Sequence, residues 1–175
     1  MTWTAPKSRG EILRDVSAAA DERRDGVLPM DVDGAGEAFR DELDLLGALQ
    51  LRWHTRLSGR IERELMHQPL DLERAVVTAW RATAEELPGI RAVVDHHREH
   101  PLDAAMAEAR AVATRKERSW LAVMAGQAGL ADPGAAHVGA AIEERARSGR
   151  LRPHPAHRAD DPRGLLDRLR AALAA

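Results

Sequence analysis

Three residues on three consecutive segments have the chemistry to hold a divalent cation: His54, Glu86 and Glu117. Counting outward from the turns at Gln68-Pro69-Leu70 and His100-Pro101, residue 54 lies level with about residue 85, and 85 with about 117. One imidazole and two carboxylates form a donor set that suits zinc or a similar ion. Lys116 falls in the same layer, where its ammonium would repel a cation and pair with Glu86. The plainer expectation is a salt-bridged polar layer that fixes helix register.

Four other clusters carry metal-ligand or phosphate chemistry in part. Asp31-Val32-Asp33-Gly34-Ala35-Gly36 with Glu42 follows calcium-loop spacing, but Ala35 offers no side-chain oxygen at the fifth position and Pro29 interrupts the incoming helix. A connector in which Asp33 caps the next helix explains the same residues. Glu64 and His67 make one Glu-x-x-His unit, whereas a di-iron bundle needs two units and two further glutamates; a surface pair near a turn is the simpler reading. His96 and His100 share a helix face at metal-binding spacing, yet histidines in a last turn also complement the helix dipole. Arg52, Arg56, Arg60 and Arg63 form a basic stripe with no interleaved aromatic, and acids including Glu62, Glu64 and Glu86 are placed to neutralise it. No Gly-rich phosphate loop, serine elbow or cysteine nucleophile is present, so no catalytic motif nominates an enzyme and no cofactor is required by the sequence.

These residues sit on helices. Ser8-Arg9-Gly10-Glu11 reads as a capping box opening a helix to about Arg24, with Ile12, Leu13, Val16 and Ala20 inward. After a connector at 26–34, a long helix is expected from about Ala35 to His67, with Phe39, Leu43, Leu46, Trp53, Leu57 and Ile61 as its stripe. A third helix from Asp71 carries a heptad seam of Leu72, Val76, Ala79, Thr83, Leu87, Ile90, Val94 and His97. Because that seam stays in phase across Pro88-Gly89, the sequence predicts a kink there, not a turn. A fourth helix from Asp103 to about Gly129 should turn Met106, Ala109, Ala113, Trp120 and Met124 inward, and Asp132-Pro133 should start a fifth, ending near Arg147.

The expected fold is all-α: an antiparallel up-down bundle of three long helices with additional shorter helices and a C-terminal tail helix. Residues 1–148 form the bundle domain, with 1–7 as a flexible N-terminus. Residues 149–161, rich in Pro, His and Arg, read as a flexible linker, and 162–175 as an amphipathic tail helix. Its leucines 165, 166, 169 and 173 (Leu165, Leu166, Leu169 and Leu173) are the interaction candidates. With one phenylalanine and no tyrosine, Trp53, Trp80 and Trp120 must supply the aromatic core volume, Trp80 level with Trp120 and Trp53 about a turn and a half away.

The 175-residue chain has no cysteine, which excludes disulfides and thiolate metal sites. It carries no apolar run near the ~20 residues of a membrane span and no signal-peptide pattern, so a soluble protein without membrane insertion is expected in the cytoplasm. Residues 1–50 hold 11 acids against 6 bases and residues 141–175 hold 8 arginines against 5 acids, an asymmetry that recruits a partner or draws the two ends together. A net charge of −2 disfavours a chain-wide nucleic-acid role. The sequence therefore predicts a non-enzymatic helical interaction or scaffold protein, with a protein partner or self-association. The alternatives are a bundle binding a metal ion or small ligand between its long helices, and a nucleic-acid-associated helical protein.

Overall fold

Helix caps set the element boundaries. The computed structural model describes residues 7–149, and among these lie seven helices and no strand: α1 (Arg9–Arg23), α2 (Ala35–Ala38), α3 (Glu42–His67), α4 (Leu72–Glu86), α5 (Pro88–Glu99), α6 (Ala104–Met124) and α7 (Ala135–Ser148). Ser8 and Glu11 close the expected capping box, each satisfying a backbone N–H that the first turn leaves open. Asp71 and Asp103 cap α4 and α6 by accepting from Arg74 and Met106. The linker 149–161, apart from Gly149, and the tail helix 162–175 lie outside the described residues, as does the N-terminus up to residue 6.

Two expected long helices are each two elements. The segment from Ala35 to His67 splits because Asp41 caps a new helix, accepting from the Asp44 N–H at 2.7 Å. Phe39, extended and buried, fills the gap beneath the Arg9 guanidinium. The third expected helix is interrupted at Leu87 (φ −124°, ψ 55°), a break of one residue where a kink was expected. Proline disfavours helical geometry in the residue before it and supplies no N–H to the preceding turn. Both neighbours of the break are used. Pro88 takes the first position of α5, and the Gly89 N–H donates to Asp21 of α1 at 2.7 Å. A Cβ on Gly89 would lie 2.0 Å from the Ala20 carbonyl carbon, so glycine is what lets α1 pack directly on α5.

The seam nevertheless stays in phase. Val76, Ala79, Thr83, Leu87, Ile90, Val94 and His97 are all buried, and only Leu72 is exposed. They meet Leu46, Leu49, Trp53, Leu57 and Ile61 of α3 and Val16 and Ala20 of α1 in one apolar cluster, where each fully buried aliphatic side chain contributes roughly 1.5–3 kcal/mol. Trp53 and Trp80 meet edge to face at 5.6 Å, while Trp120 packs on His54 and is only partly buried. Trp80 thus meets Trp53 although the two were expected about a turn and a half apart, a level difference that large rings reach across.

Helix α6 presents a different face from the one its hydropathy suggests. Met106 is buried and Trp120 and Met124 pack against the core as expected, but Ala109 is exposed, and Arg110, Glu117, Leu121 and Ala122 also point inward. The backbones of α6 and α7 approach so closely that a Cβ on Gly139 would lie 1.8 Å from the Arg118 carbonyl oxygen. No helix among the described residues is long and apolar enough to cross a membrane.

Candidate functional site: an arginine-rimmed groove beside a charged core

A buried polar network occupies the heart of the helices. The Glu117 carboxylate accepts from Gln50 at 2.7 Å, from the Trp53 indole at 3.2 Å and from Arg91 at 3.3 Å. Arg91 lies over the Trp53 and Trp80 rings and also donates to Asp95 at 2.5 Å. Asp95 receives a two-pronged contact from Arg147, and Glu143 collects Arg98, Arg118 and Arg147 between 2.6 and 2.9 Å. Burial pushes both carboxyls upward, but the guanidinium hydrogen bonds outweigh it and hold Asp95 and Glu143 at about 2. A carboxylate so saturated and so weakly basic neither gives nor takes a proton near neutral pH. The network therefore serves architecture.

Of the residues singled out by sequence, the structure separates most. His54 packs against Trp120, Glu86 is held by Arg56 and Arg60, Glu117 sits in the network above, and Lys116 is exposed. His54, Glu86 and Glu117 are thus committed to different neighbours, and among the described residues no group of three or more His, Cys, Asp or Glu could hold a metal ion. In the calcium-like segment, Asp31 pairs with Arg23 at 2.6 Å, Asp33 approaches Lys7 at 3.8 Å, and Glu42 is exposed in the first turn of α3. Glu64 accepts from Gln68 beside an exposed His67. His96 and His100 stack at 5.1 Å on the surface, whereas His97 is buried with Nδ1 3.0 Å from the Val93 carbonyl; burial lowers its pKa.

Hydropathy gives no sign that Arg91, Arg110 and Glu143 are buried, or that the half-buried Asp95 and the exposed Arg147 bind them. One signal was available: Arg91 with Asp95 and Glu143 with Arg147 are opposite charges four apart, beside apolar seams.

The arginine stripe leads to a different feature. Leu43, Asp44, Gly47, Ala48, Leu51, Arg52, Thr55, Arg56, Gly59 and Arg63 form one face of α3 that lines an open groove of about 1220 Å³, closed on its far side by Arg9, Gly10 and Leu13 of α1 and by Glu86 and Leu87 at the α4–α5 break. Leu51 is 65% exposed there. Arg9 binds Asp44 at 3.0 Å, and Arg56 and Arg60 bind Glu86, which they hold at about 2. Arg52 and Arg63 make no ion pair among the described residues. The chain matches no family model, no curated protein and no solved structure.

The groove combines apolar and charged side chains. Glu86, pinned as an ion between two guanidiniums, neither gives nor takes a proton near neutral pH. The groove's apolar side chains, Leu13, Leu43, Leu51 and Leu87, are flanked by Arg9, Arg40, Arg52, Arg56 and Arg63 against Asp41, Asp44 and Glu86. Gly47 and Gly59 would meet nothing within 4 Å if given a Cβ, so their smallness serves no packing among the described residues.

Proposed function

We propose that the chain is a non-enzymatic interaction protein whose groove along α3 receives an acidic amphipathic helix from a partner protein. The observation that carries this reading is the groove. Its α3 wall runs from Leu43 to Arg63, about 30 Å at the rise of an α-helix, which suits roughly five turns of a partner laid alongside. The apolar floor accepts the partner's apolar stripe, and the arginine excess on the rim, with Arg52 and Arg63 not engaged in ion pairs among the described residues, favours acidic flanks. Unneeded glycines at positions 47 and 59 let a second backbone come close.

The same proposal includes the platform: α3, the α4–α5 pair and α6 as an up-and-down bundle, supported by the short connections at 68–71 and 100–103. Leu165, Leu166, Leu169 and Leu173 lie outside the described residues and enter as a second contact surface of the tail. That tail carries Arg163, Arg168 and Arg170 against Asp167, the same sign as the groove rim, which makes it a poor occupant. Nucleic-acid association draws less support, because Glu86 engages two of the four arginines in the stripe.

The test uses the full chain as bait in extracts of its own cells, compared with Leu51→Glu and with Leu130→Glu, which alters an exposed leucine outside the groove. The expected result is a partner with an acidic amphipathic segment, retained by the parent and by Leu130→Glu and lost with Leu51→Glu. Retention by Leu51→Glu contradicts the reading, and a second copy of this chain as the only groove-dependent species would reassign the occupant.

A further inference from the structure

A second cavity, of about 510 Å³, opens between α6 and α7 beside the end of α5. Arg98, Arg110, Thr114, Arg115, Arg118 and His137 line it, and among the described residues no carboxylate does. Arg110 is only 5% exposed, yet its one described bond is to a neutral acceptor, the Gln50 side-chain oxygen at 2.7 Å. Its Nε has no hydrogen-bond partner, and neither has the buried Thr114 hydroxyl on the same wall. Burial lowers the pKa of Arg110, and the neighbouring Arg91 lowers it further. A guanidinium does not release its proton in proteins, and the Glu117 and Asp95 carboxylates act on it only through space, so an anion in the cavity would relieve the remaining cost of burying this charge.

The charge balance states how large that anion is. Among the arginines that line the cavity, Arg98 and Arg118 bond Glu143, whereas Arg110 and Arg115 make no ion pair among the described residues. The shortfall is two negative charges. A phosphate monoester carries about −1.5 to −2 at neutral pH and offers three acceptor oxygens matched to guanidinium forks. The cavity volume lies within the range of small-ligand sites, and the backbone contact at Gly139 holds the two walls together.

We propose that this cavity is a binding site for a small phosphorylated molecule, with Arg110 as its buried anchor, Thr114 as a hydroxyl ligand and Arg98, Arg115 and Arg118 around the phosphate. The site is separate from the α3 groove and does not depend on the reading given for it. Calorimetric titration of the full chain at low ionic strength tests it, with inorganic phosphate, pyrophosphate, succinate and a mixed-sequence single-stranded oligonucleotide as probes. Saturable one-to-one binding of phosphate or pyrophosphate is expected. It should be about tenfold weaker in Arg115→Gln, the loss of one charge-assisted contact, absent in Arg110→Met and unchanged in Leu51→Glu. Without anion, Arg110→Met should melt at or above the parent, because the buried Arg110 charge faces Arg91 and Arg98 and is offset only through space by Glu117 and Asp95. Should that variant fail to fold, Arg115→Gln carries the test, since Arg115 is exposed and makes no ion pair among the described residues. The proposal is overturned by the absence of saturable phosphate or pyrophosphate binding at millimolar concentration, or by equal affinity in Arg115→Gln. Tighter binding of succinate or of the oligonucleotide than of pyrophosphate overturns it as well.

Discussion

Glu117 answers three donors at once, and removing its carboxylate takes an acceptor from each. In Glu117→Leu the Trp53 indole and the Gln50 amide lose their acceptor and Arg91 keeps only Asp95. Breaking a buried pair from one side costs about 3–5 kcal/mol, and urea unfolding followed by tryptophan fluorescence should read a loss of that order. The double change Glu117→Leu with Arg91→Leu should cost less than the sum of the two single changes, because no charge is then left unpaired. Additive losses would show that the pair does not act as a unit. This residue was singled out in the sequence by its level along the chain, for a polar layer with His54, Glu86 and Lys116 that was expected to be salt-bridged or, alternatively, to hold a metal. The level count located it correctly in the interior, whereas its partners Gln50 and Arg91 lie off the seams that hydropathy marks, and nothing in one sequence says which buried carboxylate meets which arginine.

At the scale of elements, glycine separates contacts the fold needs from surfaces it leaves open. Gly89→Ala and Gly139→Ala would drive a methyl group into the backbone of α1 and of α6 respectively, and since backbone cannot rotate away, each should destabilise by about 3 kcal/mol, the upper end of overpacking. Gly47→Ala, with nothing within 4 Å of the new methyl, should instead stabilise α3 by roughly 0.5–1 kcal/mol. Thermal melts of the three variants check the contrast, and a Gly89→Ala protein as stable as the parent would refute the α1–α5 contact. Helix existence and the α4–α5 seam were legible because apolar spacing survives the break at Leu87. The break itself was underestimated, because phase continuity says nothing about a single non-helical residue. The inward face of α6 was misjudged for a different reason: Arg110 and Glu117 occupy positions that hydropathy assigns to solvent, and only their partners on other helices make burial affordable.

For the whole molecule, the charged core makes stability depend on pH in two stages. The folded pKa of His97 is lowered by burial, so the unfolded chain takes up that proton first and stability begins to fall as pH drops below about 6.5. Asp95 and Glu143 titrate at about 2 in the folded protein, below their ordinary 3.8 and 4.5. Their contribution, roughly 3 kcal/mol for Glu143 alone, is complete above pH 5 and lost between about pH 4.5 and 2. Chemical denaturation at a series of pH values should show a shallow first decline, absent in His97→Gln, and a steep second one that Glu143→Gln removes in part. The groove along α3 lies outside this network, and the account stands or falls on whether it is a contact surface. A photo-cross-linking side chain placed at position 51 in the full-length protein, with the same group at position 130 as control, tests that most directly in living cells. The expected result is a single adduct from position 51, mapping to an acidic amphipathic helix of another protein, with none from position 130. Cross-links from both positions to the same proteins, or none from position 51, would contradict it.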